Sequence, residues 1–117
     1  MMLTTIPELV AQIKQSINFT SASDARKVID QGDAVLIDVR EPDEFAQRSA
    51  AGAINIPRGL IEMKMLQLYP DAQQAIFVHC ATGARACFAT EQLQRLGYSN
   101  VVAITCPLDG VCDACQP

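Results

Sequence analysis

Ala75-Ile76-Phe77-Val78-His79-Cys80-Ala81-Thr82-Gly83-Ala84-Arg85 holds three kinds of backbone in one short stretch. Its first four residues are apolar without alternation, the pattern of a strand buried on both faces, as in a parallel sheet. His79 and Cys80 end that run, and Gly83 marks a tight loop. Residues 84–96 then read as a helix that stops at Gly97, a natural C′ residue. The same grammar recurs on either side. Ala34-Val35-Leu36-Ile37 is a second buried run, ending at Asp38. Ala53-Ile54-Asn55-Ile56-Pro57 is a short strand stopped by proline, and Asn100–Ile104 is a last strand. Helical stretches lie between and before them. Over 5–17, Ile6, Leu9, Val10, Ile13 and Ile17 share one helical face, with Thr5 and Glu8 in a capping-box pattern and Pro7 in the first turn. A second helix over 22–31 is announced by Ser21 with Asp24 and stopped by Gly32. Glu41-Pro42-Asp43-Glu44-Phe45 reads as a short acidic helix start, and 59–68 is apolar and helical in character. Strands alternating with helices imply an α/β fold with a mostly parallel sheet. In such folds ligands gather at the carboxyl ends of strands, where Asp38 and Cys80 both fall.

The 117 residues are the size of one domain, and 50% of them are hydrophobic, which excludes a disordered chain. A chain of this length buries about two-thirds of its unfolded surface, so it needs no disulfides to fold. Nine Lys and Arg against 13 Asp and Glu leave a net charge of −4, a poor match to a phosphate backbone, so no nucleic-acid partner is expected. No apolar run approaches the roughly 20 residues that span a bilayer, and none follows a charged N-terminal segment as in a signal peptide. The expectation is a cytoplasmic protein whose five cysteines stay reduced and are more often reactive or metal-binding than structural.

The loop after Val78 is where chemistry is expected. The first N–H groups of a helix lack internal partners, and the helix dipole favours negative charge there. A tight loop can aim successive N–H groups into one concavity, an anion nest, and Gly83 permits backbone angles that a side chain forbids. Arg85 adds a permanent positive charge. A cysteine in that field is expected to exist largely as thiolate, the reactive form. An isolated cysteine at a strand end is usually inert packing. The strand–loop–helix setting with Gly83 and Arg85 reverses that balance for Cys80.

These residues resemble a known family. From about Phe19 to Ile104 the chain looks like a single rhodanese domain. Leu36–Phe45 is similar to that family's strand-plus-helix signature, Gly52–Pro57 to its second motif, and Cys80–Arg85 to its active-site loop, a Cys and an Arg separated by four residues. The resemblance implies a five-stranded, mostly parallel sheet with helices on both faces. It implies a sulfurtransferase in which Cys80 becomes a persulfide. Cys80 would take sulfur from a sulfane donor such as thiosulfate and pass it to a thiol or protein cysteine, with no cofactor and no metal. The N–H groups of Ala81, Thr82, Gly83, Ala84 and Arg85 would cradle the anionic sulfur. Arg85 would steer anionic donors and brace the loop, with Asp38 and Arg40 either sharing that bracing or forming a structural ion pair. The chain departs from the family at Arg48-Ser49, where Gly-His is frequent, at Ala86, where Ser is common, and at Cys106-Pro107, in place of a Gly-Gly turn. Protein-tyrosine phosphatases share the His-Cys pair and the Arg, but with five residues between Cys and Arg. That spacing would put the Arg at Ala86, so the loop is one residue short for a phosphoryl group.

Residues 1–18 are read as an N-terminal helix packed on the domain or, alternatively, on a second copy in a homodimer. Residues 19–104 are the domain itself, and 105–117 a cysteine-rich tail of little periodicity. Cys112-Asp113-Ala114-Cys115 is a CxxC, with Cys106 six residues earlier. Three readings compete for it: a zinc site completed by Cys87, an acidic residue or a partner chain; a sulfur relay from Cys80; or a frayed end. Cys87 is read as packing, with a resolving role if its thiol faces the loop. The rival to an enzyme is a non-catalytic rhodanese-like module that binds a partner and senses redox state or metal through the tail thiols. His79 is read as a strand residue that bonds locally.

Overall fold

The structure is a computed structural model and describes residues 2–116. Five strands form one sheet in the order β1-β5-β4-β2-β3, every neighbouring pair parallel. The strands are β1 (Asn18–Thr20), β2 (Val35–Asp38), β3 (Ile54–Asn55), β4 (Ile76–His79) and β5 (Val101–Ile104). The helices are α1 (Ile6–Lys14), α2 (Ala22–Ile29), α3 (Pro42–Gln47), α4 (Ile61–Leu68), α5 (Ala84–Leu96) and α6 (Leu108–Ala114), and a 3-10 turn at Arg58–Leu60 precedes α4.

The apolar runs are strands because both sheet faces are covered. Successive side chains point to opposite faces, so each run serves two cores. Ile37, Ile76, Val78, Val101 and Ala103 pack in one layer with Ile13 of α1, Ile61 and Met65 of α4, and Cys87 and Leu93 of α5. Leu36, Phe77 and Ile104 pack in the other with Ala22 and Ala25 of α2 and Val111 of α6. Ile37, Ile76 and Leu93 are fully buried; truncating any of them to Ala would cost about 2–5 kcal/mol. The helix signals act as read. Thr5 Oγ1 accepts the Glu8 N–H at 3.2 Å and Ser21 Oγ that of Asp24 at 3.2 Å, while Gly97 closes α5 with φ of 110°.

Two regions differ from the sequence reading. Asn18-Phe19-Thr20 pairs with β5 as an edge strand; no apolar run marks it, because an edge strand this short has Phe19 half-exposed. The stretch read as a structureless tail contains α6. Val111 and Cys115, one turn apart, are buried against the α2 face. The Arg26 guanidinium donates to the carbonyls of Ala114 and Gln116 at 3.3 and 2.9 Å, and the Ala51 N–H to that of Cys115 at 3.1 Å. With its last carbonyls bound and two side chains in a core, this segment is part of the domain and not a frayed end.

Candidate active site

β4 is the central strand, and Cys80 follows its last residue. Cys80 is fully buried. Its Sγ accepts the N–H of Gly83 at 3.0 Å and that of Ala86 at 3.3 Å. The loop that makes this possible turns at Gly83, whose φ of 106° lies in the left-handed region. A Cβ there would also stand 3.3 Å from the Thr105 carbonyl oxygen. α5 starts directly after Gly83, so its N-terminus faces the sulfur. The N–H groups of Ala84 and Arg85, in that first turn, have no intrahelical acceptor. Of residues 81–85, Gly83 donates to the resting Sγ, and a second donor is Ala86, one residue further along. The Ala81 carbonyl accepts the Leu108 N–H at 2.9 Å, so the start of α6 buttresses the loop.

Arg85 does not stand free as a steering charge. It grips Glu44 of α3 with two parallel bonds of 2.7 and 3.1 Å. The Arg85 guanidinium, with the Glu41 N–H, lowers the Glu44 pKa to about 2, and Glu44 in turn raises that of Arg85. Glu44, which the sequence reads as part of an acidic helix start, is the partner the structure gives Arg85. Its signal was faint: a carboxylate three residues after Glu41, where its Oε1 caps the Glu41 N–H at 3.0 Å. The pair ties the active loop to α3.

Asp38 and Arg40 form a buried ion pair, Nη2 to Oδ2 at 2.7 Å, with Nε bonded to both carboxylate oxygens. Arg40 goes on to the carbonyls of Arg48 and Glu44 at 2.6 and 3.3 Å, and Asn55 Nδ2 donates to the carbonyls of Asp38 and Arg40. These bonds hold α3 to the sheet and connect Asp38 and Arg40 to Arg85 by way of Glu44. His79 lies fully buried, its Nε2 3.7 Å from Asp38 Oδ2, and neither ring nitrogen has a hydrogen-bond partner among the described residues. Burial pushes its pKa down against the pull of Asp38.

The remaining cysteines divide by layer. Cys87 shares Cys80's layer, and burial pushes its thiol up. Cys106, Cys112 and Cys115 lie with the α2 and α6 layer on the opposite face of the sheet. Cys106 Sγ accepts the Ala22 N–H at 3.2 Å, and burial pushes the Cys115 thiol up. Cys106 stands two residues before Leu108, whose N–H donates to the Ala81 carbonyl of the loop, and among the described residues no three His, Cys, Asp or Glu side chains gather as metal ligands.

Cys80 thus lies at the carboxyl end of the central strand of a parallel α/β sheet, with two backbone N–H groups on its sulfur. The chain belongs to the rhodanese-like domain family, whose model matches residues 21–110. It is 38% identical over 78 residues to a putative mitochondrial thiosulfate sulfurtransferase of Schizosaccharomyces pombe, covering 57% of this chain and 55% of that one. It is 35% identical over 65 residues to the thiosulfate sulfurtransferase PspE of Escherichia coli, covering 56% and 62%. The chain thus spans little more than half the length of these curated relatives. Its fold superposes on the polysulfide-sulfur transferase homodimer of Wolinella succinogenes with a TM-score of 0.78 at 26% identity, over 93% of this chain and 82% of that one. No described helix is long and apolar enough to cross a membrane.

Proposed function

We propose that the protein is a sulfurtransferase that carries a sulfane sulfur on Cys80. The observation that supports it best is the pair of N–H donors, from Gly83 and Ala86, aimed at Cys80 Sγ at the start of α5. Fixed dipoles of this kind favour an anionic sulfur and need no rearrangement when charge develops on it. In the first half-reaction Cys80 thiolate attacks the outer sulfur of thiosulfate. The donor's sulfur–sulfur bond breaks, sulfite leaves with the electron pair, and Cys80 holds the outer sulfur as an anionic persulfide. The N–H groups of Ala84 and Arg85, which lack intrahelical acceptors, would receive that second sulfur. In the second half-reaction a thiophile attacks the outer sulfur and Cys80 leaves as thiolate. Arg85 and Glu44 hold the loop in shape through both steps. A polysulfide or another persulfide is an equally suitable donor by the same chemistry, and a second copy of the chain is the partner suggested by the homodimeric relative.

The test is turnover with thiosulfate and cyanide. Production of sulfite and thiocyanate, abolished in Cys80→Ser, is the expected outcome. No turnover with thiosulfate or polysulfide would overturn the assignment in favour of a non-catalytic module.

A further inference from the structure

α4 is apolar on both of its sides. Ile61 and Met65 are fully buried in the core. Met63 and Leu66 are 63% and 50% exposed, and Leu60, in the 3-10 turn that leads into the helix, is 43% exposed. At helical spacing these three fall in one stripe centred on Met63. A helix that is apolar all round belongs inside a larger body rather than at a boundary with water. A groove of about 370 Å³ between α4 and the edge strand β3, lined by Leu60, Lys64, Leu68, Ile54 and Pro57 among others, widens the same surface.

The edges of the stripe carry opposite charge. Glu62 and Lys64 stand one residue before and one after Met63, so they flank it on opposite sides. Lys64 forms no ion pair among the described residues. Glu62 accepts from Arg58 at 3.1 and 3.3 Å, and a carboxylate has room for further donors. A stripe with one acidic and one basic edge is complementary to itself. Two such helices side by side and parallel set the acidic edge of each against the basic edge of the other, whereas an antiparallel pair sets like against like.

We propose that this face joins two copies of the chain in a twofold dimer whose α4 helices run parallel. Met63 packs on Met63 of the partner subunit, and Glu62 lies beside Lys64 of the partner subunit, twice over by symmetry. A lipid surface or an apolar peptide would use the stripe but not the opposite signs of both its edges. The dimer gives a surface to the second copy named above and is independent of the sulfur chemistry at Cys80.

The experiment is sedimentation of the full-length chain over a concentration series, with circular dichroism to show that each variant is folded. Wild-type protein should dimerise, and Met63→Glu, which sets two carboxylates face to face in an apolar seam, should weaken the dimer by about a hundredfold. Lys64→Glu and Glu62→Lys each turn two attractive contacts into repulsive ones and should weaken it by about tenfold. An equimolar mixture of those two variants restores both contacts and should associate as wild type does. A wild-type chain that stays monomeric at every concentration would overturn the proposal. So would a dimer that survives Met63→Glu, or one that both single charge reversals leave unchanged. Thiosulfate turnover, measured alongside, reports separately on Cys80.

Discussion

Five cysteines of one chain meet two very different settings on the two faces of its sheet. Cys80 sits where a central strand gives way to a helix, and two backbone N–H groups converge on its sulfur. Cys106, Cys112 and Cys115, crowded together in the sequence, lie in the opposite layer among Leu36, Phe77 and Val111. There Cys106 accepts one N–H and Cys115 is buried with its thiol pushed toward the neutral form. Clustering along the chain does not make a thiol reactive; converging donors do. Cys115 and Val111 anchor α6, and the backbone bond from Leu108 to Ala81 ties it to the loop.

That contrast can be broken at the loop itself. Gly83→Ala keeps every charge but forces a side chain into a φ of 106° and toward the Thr105 carbonyl. It is expected to cost about 1–3 kcal/mol of stability, read from denaturant midpoints, and to lower turnover more than any surface change, because the Gly83 N–H leaves the sulfur. Wild-type turnover in Gly83→Ala would mean that the cradle is dispensable.

A smaller effect is expected one layer out, at the clamp. Glu44→Gln removes the ion pair but leaves Cys80 and its donors in place, so turnover should fall roughly three- to tenfold. The sign of its pH dependence follows from the direction of the shift. Glu44 is lowered from 4.5 to about 2 on folding, so the folded state binds fewer protons than the unfolded one across that range. The stability it contributes is fully present above pH 4.5 and is lost as pH falls toward 2. Acid unfolding of Glu44→Gln should accordingly be flatter between those limits. The smallest effect belongs to the other face. Cys112→Ser, at a half-buried position, should leave transfer to thiols within about twofold, inside the usual range for changes away from a site. A large drop would return the α6 thiols to the reaction.

Much of the fold could be read from the chain because its signals were local. The α5 boundaries, 84–96, were marked by glycines on either side, and β2, β4 and β5 by runs that only a doubly covered strand tolerates. β1 escaped because three residues at a sheet edge carry no run. α6 escaped because Pro107, Gly110 and small side chains hide a stripe of only Val111 and Cys115. At the site, Cys80 and Arg85 were legible by spacing. Glu44 was not, since its partner is 41 residues away in the chain. The Ala86 donor was not either, since a backbone amide has no signature in residue type.

The central claim is that one cysteine of five carries the sulfur. After incubation with thiosulfate and removal of excess donor, peptide mapping should place a single added sulfur on the peptide containing Cys80. The peptides containing Cys106, Cys112 and Cys115 should be unmodified. Added sulfur on the α6 peptides with Cys80 unmodified would contradict it.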